Sequence, residues 1–272
     1  MNYDNIDFCL NLLYDFVYGK PTTCYQLKYE SKTNIPVNKL KKDDDFDFSS
    51  ILQGLEKSHM NNHRTVFKRL SKTSYPTLVR IGPYTINSKE LIDMKINYLL
   101  SELAINDVYR FILLPILNFD TNYDKIKKYV KLENTNTNQI KDNTTLCVQV
   151  FEHYFKLRTL EEFLNEHQKS FTPTSWKTLA FQLLYALYKI QHIYPSFRHN
   201  KLDLHSIYVY ELKVNSSNKT IKIENNTYQI PNVGFELKLT NFYDSNIDEY
   251  AENKNAVSKE DNQYYDVHYF FS

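Results

Sequence analysis

Glycine is nearly absent from this chain. Gly19, Gly54, Gly82 and Gly234 are the only four in 272 residues. Glycine lets backbone N–H groups close on a phosphate without a Cβ in the way, so a phosphate-cradling loop has little material here. Cysteine is scarce too. Cys9, Cys24 and Cys147 are odd in number and lack CxxC spacing, which excludes a disulfide scaffold and leaves thiols suited to a reducing compartment. A charge excess of one sign is missing: 33 basic against 32 acidic residues give a net charge of +1. No global field therefore favours nucleic acid or a membrane surface. No apolar run approaches the roughly 18 residues of a membrane span, and the acidic, Lys- and Arg-free start "MNYDNIDFCLNLLYDFVYG" does not read as a signal peptide. HExxH, paired-His ligand spacing and GxSxG are all lacking, so no metal site and no serine-hydrolase elbow is expected.

What is present is core material. Hydrophobic residues make up 42% of the chain and aromatics 15%, led by 23 tyrosines. Without a basic groove, these aromatics predict packing and not stacking platforms for single strands. Periodicity predicts an amphipathic helix over 1–18, followed by a polar stretch to about 50. Short β-rich runs follow at 50–55, 64–70 and 75–82, and a helix at 90–106. "FILLPILNF" (111–119) and "TLCVQVFEHY" (145–154) read as strands flanking a polar surface insertion at 120–145. Thr159 before Glu161 and Glu162 predicts a capped helix over 159–167. A long helix over 172–191 starts at Thr172 or Thr174, with Trp176, Leu179, Ala180, Leu183, Leu184, Leu187 and Ile190 as its core stripe. Strands at 206–212, 220–224 and 235–242 precede an acidic, polar tail. That order predicts an α+β protein of two lobes.

Three ordered segments carry a resemblance: "FRHNKLDLHSIYV" (197–209), "PNVGFELKLTNF" (231–242) and "QYYDVHYFF" (263–271). Together they resemble the divergent serine/threonine protein kinase-like family of large cytoplasmic DNA viruses, over roughly residues 50–272. The resemblance implies a protein kinase-like two-lobed fold. It would have a small β-rich lobe over 50–154, with the 120–145 insertion, and a C-terminally truncated, mainly helical large lobe over 155–272. Residues 1–49 are set apart as an N-terminal helix and linker.

The resemblance also implies which positions would carry phosphoryl transfer, and most hold altered residues. The catalytic aspartate falls on Lys201, the following lysine on Asp203, and the metal-binding asparagine on Ser206. The magnesium-binding aspartate falls on Asn241. The strand lysine that meets the nucleotide phosphates falls on Arg80, with Lys68 as an alternative cation, and its helix acid on Asp93, with Glu90 and Glu102 as alternative acids. Only Gly54 stands for the glycine hairpin. Transfer needs positioned charges around the phosphates, and magnesium usually needs at least one carboxylate. The family aspartate that braces the loop backbone falls on Asp266.

The resulting expectation is a catalytically impaired kinase-like protein, a pseudokinase, acting by binding or scaffolding a viral or host protein. No cofactor, metal, nucleic acid or membrane is expected, and the location is the host cytoplasm or the virion. An active serine/threonine kinase using ATP and Mg, with Asp203 and Asp244 as its carboxylates, is the alternative. A structural subunit of a viral particle is a third. On the active reading alone would ATP and Mg be cofactors.

Overall fold

The computed structural model describes residues 52–61, 64–69, 77–83, 89–105, 107–132, 140–153, 157–212, 217–248, 250–251 and 263–272. The expected helix over 1–18 and the linker to 49 lie outside them. The chain divides into two compact units, Met1–Leu91 with Leu114–Phe155, and Ile92–Leu113 with Lys156–Ser272.

In the first unit, β1 (Glu56–Asn61), β2 (Arg64–Arg69) and β3 (Thr77–Pro83) are followed by helix α1 (Lys89–Ile105), most of which belongs to the second unit. The chain returns through β4 (Pro115–Asn122), the single turn α2 (Tyr123–Ile126) and β5 (Thr145–Glu152). These strands form one antiparallel sheet in the order β1-β2-β3-β5-β4. Strand alternation sends Val79 and Ile81 to one face with Leu146, Val148 and Val150, where they pack with Leu52, Phe67, Ile126 and Val130.

Two sequence readings change here. The run at 50–55 is not a strand: Leu52 is helical and a turn follows, because Gly54 sits at φ +75°. The segment 120–145 is not wholly a surface insertion, since β4 runs to Asn122 and Ile126 and Val130 are buried in the core. Its polar composition hides two apolar residues spaced one helical turn apart.

The second unit holds β6 (Leu157–Thr159), α3 (Leu160–His167), α4 (Pro173–Ile193), β7 (Ile207–Glu211), β8 (Lys219–Ile223), β9 (Asn226–Ile230), β10 (Phe235–Leu239) and α5 (Tyr265–Phe271). Both long-predicted helices start at the expected residues. Thr159 and Glu162 form a reciprocal capping box at α3, and Thr172 caps α4 with Pro173 in its first turn. β10, β7 and β6 make an antiparallel sheet, and β8 and β9 a hairpin. Residues 111–114 are not strand; Ile112 instead forms an isolated parallel bridge with Leu239, in which Leu113 N donates to Leu239 O at 3.0 Å and Leu239 N donates to Phe111 O at 2.7 Å.

The core face of α4 is rotated from the predicted stripe. Thr178, Leu179, Gln182, Leu183, Tyr185, Ala186, Leu187 and Ile190 are buried, whereas Trp176 and Leu184 are 45% and 44% exposed. Gln182 is inward because its amide grips β10: Nε2 donates to Phe235 O at 3.1 Å and Oε1 accepts from Leu237 N at 2.8 Å. Tyr185 donates to both carboxylate oxygens of Asp107, at 2.8 and 3.0 Å, and Lys189 lies 2.9 Å from the same carboxylate. Burial, then that acceptor, push the Tyr185 hydroxyl well above its ordinary range. Among the described residues no helix is long and apolar enough to cross a membrane.

Candidate functional site

The loop that follows α4 is held from three sides within the second unit. Arg198 exchanges backbone hydrogen bonds with Asn246, at 3.1 and 2.9 Å, and its guanidinium donates to the Pro195 and Phe197 carbonyls. The Asp266 carboxylate, buried at the start of α5, accepts from His199 N at 2.7 Å and Asn200 N at 2.9 Å. That is the bracing role implied for it by the sequence. His199 is fully buried, and its Nε2 lies 3.0 Å from the Thr240 carbonyl. A carbonyl only accepts, so Nε2 carries the proton. Asn200 adopts the left-handed conformation, φ +63°, and its Nδ2 donates to Asp244 O at 2.9 Å. Asparagine tolerates that backbone better than most residues.

The altered positions come together in the next turn. Asp203 Oδ1 accepts three times: from His205 N at 3.0 Å, Ser206 N at 2.9 Å and Ser206 Oγ at 2.8 Å. The Ser206 hydroxyl is also 2.8 Å from Lys201 O, so its single proton is shared between two acceptors. Asp203 N donates to Lys201 O at 3.1 Å. Asp203 is thus the keystone of its own turn, an Asx-type closure of the backbone.

Asn241 sits opposite that turn, buried and left-handed at φ +64°. Its Nδ2 donates to His205 O at 2.8 Å, and its Oδ1 has no hydrogen-bond partner among the described residues. The amide orientation follows from this contact, because the oxygen in the same place would face another acceptor. Thr240 N donates to Ser206 O, so the two segments meet through backbone as well. The next residue, Phe242, donates its N–H to Asp93 Oδ1 at 2.6 Å, and Asp93 is fully buried on α1. Asp244 closes a short 3₁₀ turn, Phe242–Asp244. Lys201, Asp203, Ser206 and Asn241 are therefore one network, with Asp93 joined to it through Phe242.

The other two candidate residues lie in the first unit. Arg80, 2% exposed, stands beside Gln149 on the sheet with its guanidinium carbon 4.5 Å from the centroid of the Phe151 ring. Gln149 in turn faces Asn118 on β4, which makes a buried polar row across three strands. Gly54 does not belong to the β1–β2 hairpin. It precedes β1, in open space, and its left-handed φ explains why glycine stands there. Sequence reasoning overlooked Gln182 and Asp107; polar residues beside an apolar helical stripe were the signal for the first. Among the described residues no cluster of three or more His, Cys, Asp or Glu side chains is arranged to hold a metal ion.

No family model matches the chain. A mimivirus protein from Acanthamoeba polyphaga mimivirus, "Uncharacterized protein R402", is 30% identical over 93% of this chain and 32% of its own length. A second, "Putative serine/threonine-protein kinase R400" of the same virus, is 23% identical over 79% of this chain and 52% of its own length. The chain is related to the divergent kinase-like proteins of large DNA viruses. Its fold is α+β, with a five-stranded antiparallel sheet in one unit and helices with a three-stranded sheet and a hairpin in the other. It spans about a third and about half of the curated relatives it matches. Among solved structures, "WaaP in complex with acyl carrier protein" gives a TM-score of 0.43 at 8% identity, over 81% of this chain and 70% of that chain; at that score the likeness carries no argument.

Proposed function

We propose that this kinase-like chain is catalytically impaired and acts by binding a protein, viral or host. One observation carries the reading: the carboxylate nearest to the lost catalytic position, Asp203, spends its Oδ1 on the amides of residues 205 and 206 and on the Ser206 hydroxyl. A general base must reach the hydroxyl it deprotonates, whereas this oxygen closes a turn. The donor set points the same way. Asn241 and Ser206 offer neutral oxygens where magnesium favours a carboxylate, and Asn241 is tethered through its amide nitrogen. Arg80, packed on Phe151, presents a broad guanidinium where the family has a compact ammonium.

The name of the second mimivirus relative favours a different reading, an active serine/threonine kinase using ATP and Mg. The two separate in a phosphate-transfer assay with γ-labelled ATP, Mg and generic protein substrates, comparing the wild type with Asp203→Asn. Asparagine keeps the Oδ1 acceptor, and so the turn, while removing the base. No transfer by either protein supports the impaired reading. Transfer by the wild type that vanishes in the variant overturns it.

A further inference from the structure

β7 and β10 are neighbours in one sheet, with Glu211 opposite Phe235, yet residues 219–230 between them form a hairpin of their own. Leu212 N donates to Gly234 O at 2.8 Å and closes the base of this excursion. A two-stranded hairpin is marginal in water by itself. In its two strands this one buries only Ile221 and Ile230, and it adds Tyr228, 40% exposed, beside the Phe181 ring of α4 at 6.1 Å. An element with so few buried apolar contacts sits at the low end of local stability, so its polar anchors decide whether it stays docked.

Lys219 is such an anchor. Its ammonium donates to the Val108 carbonyl at 3.0 Å, pairs with the Glu236 carboxylate of β10 and lies 4.6 Å from the centre of the Tyr109 ring. Val108 and Tyr109 belong to the segment 107–113, which leaves the end of α1 and is fastened along the second unit. The Asp107 carboxylate takes Tyr185 and Lys189 of α4. Arg110 O accepts from Nζ of the buried Lys238 at 3.3 Å, and Phe111 and Leu113 bond to Leu239. α4 and β10 supply these fastenings, and Lys219 supplies one from the hairpin. We propose that docking of the β8–β9 hairpin holds residues 107–113 in place, with Lys219 as the coupling residue, so that release of the hairpin loosens the segment at the end of α1. Coupling of this kind is reciprocal: loosening the segment also frees the hairpin. All of these contacts lie within the second unit and none involves residues 197–206, so the coupling is independent of the binding reading given above.

Amide exchange of the full chain, followed by NMR, tests the coupling. The reporters are Tyr109 N, which donates to Asp107 Oδ1 at 3.1 Å, Phe111 N, which donates to Tyr109 O, and Leu113 N. Lys219→Met keeps the side-chain length and removes the ammonium. Exchange at these amides is expected to rise roughly tenfold, the scale of one lost charge-assisted hydrogen bond. Tyr228→Ser loosens the hairpin on its α4 side, away from the segment, and should raise the same amides. Lys222→Met, at an exposed position of β8, is the control and should leave them unchanged. Combining Lys219→Met with Glu236→Gln removes the stranded carboxylate, and the rise should persist. No rise with Lys219→Met overturns the inference, as does a rise that Glu236→Gln reverses. A rise with Lys219→Met but none with Tyr228→Ser makes Lys219 a local contact and overturns it too. An equal rise with Lys222→Met, or one shared equally by the amides of α4 and β7, marks general loosening and also overturns it.

Discussion

The side-chain amide of Asn241 donates to the main-chain carbonyl of His205 at 2.8 Å. Asparagine at this position has a structural task, because the neighbouring turn uses the hydrogen it supplies. Asn241→Asp, which introduces the residue that the family resemblance implies here, would set a buried carboxylate against a carbonyl. The variant is expected to lose about 2–3 kcal/mol at neutral pH, the cost of an unsatisfied buried charge next to an acceptor. The introduced carboxyl would have a raised pKa, so the deficit shrinks as the pH falls and its protonated form donates in place of the amide. Urea unfolding at several pH values measures both effects.

Asp266 supports the loop by a different route. Its two oxygens take the N–H groups of His199 and Asn200, and all three residues belong to the second unit. Asp266→Ala leaves both donors unanswered beneath α5 and is expected to cost about 2–4 kcal/mol. Asp266→Asn, which retains one acceptor, should cost less. Amide exchange at His199 and Asn200 is the local readout, and it should rise in the alanine variant before the unit as a whole unfolds.

Gln182 makes a comparable prediction in the interior of α4. Gln182→Leu keeps much of the volume but removes the partners of Phe235 O and Leu237 N. A destabilisation of about 2–4 kcal/mol is expected from the two stranded backbone groups. Faster exchange of the Leu237 amide would localise the effect to β10, and unchanged exchange would contradict the assignment.

His153 gives the pH dependence of the first unit. Burial, with Lys68 adding repulsion, lowers its pKa from the ordinary 6.5 to about 3. Above pH 6.5 the imidazole is neutral in both folded and unfolded chains and contributes no slope. As the pH falls towards 3, only the unfolded chain takes the proton, so stability declines by up to about 1.4 kcal/mol per pH unit. His153→Gln should flatten that part of the profile. NMR titration of the imidazole in the folded protein should show it still neutral at pH 5.

The caps and the loop were legible in the sequence because their signals are local. Thr159 with Glu162, Thr172 with Pro173, and the family-like spacing around His199 each need only a few neighbouring residues. The hairpin strand β9 was not, because "NTYQI" has little apolar alternation and all but Ile230 is exposed. The face of α4 was misjudged since apolar residues occur all round it, and Thr178 and Gln182 take core positions that Trp176 and Leu184 were expected to hold. At the candidate site the residue types were readable, but their partners were not. Nothing in "KLDLHS" says that the Asp203 carboxylate turns back on residues 205 and 206, since that depends on how the backbone folds over Leu202, which is fully buried.

The central claim is that this network is built for structure and not for metal-nucleotide chemistry. Thermal unfolding with ATP, in the presence and absence of Mg, tests it most directly. A ligand at 100 times its Kd adds about 2.7 kcal/mol to the folded state, which a melting midpoint resolves easily. The account predicts that adding Mg to ATP leaves the midpoint unchanged in the wild type and in Asp203→Asn alike. A Mg-dependent rise in the wild type that disappears in Asp203→Asn would contradict it.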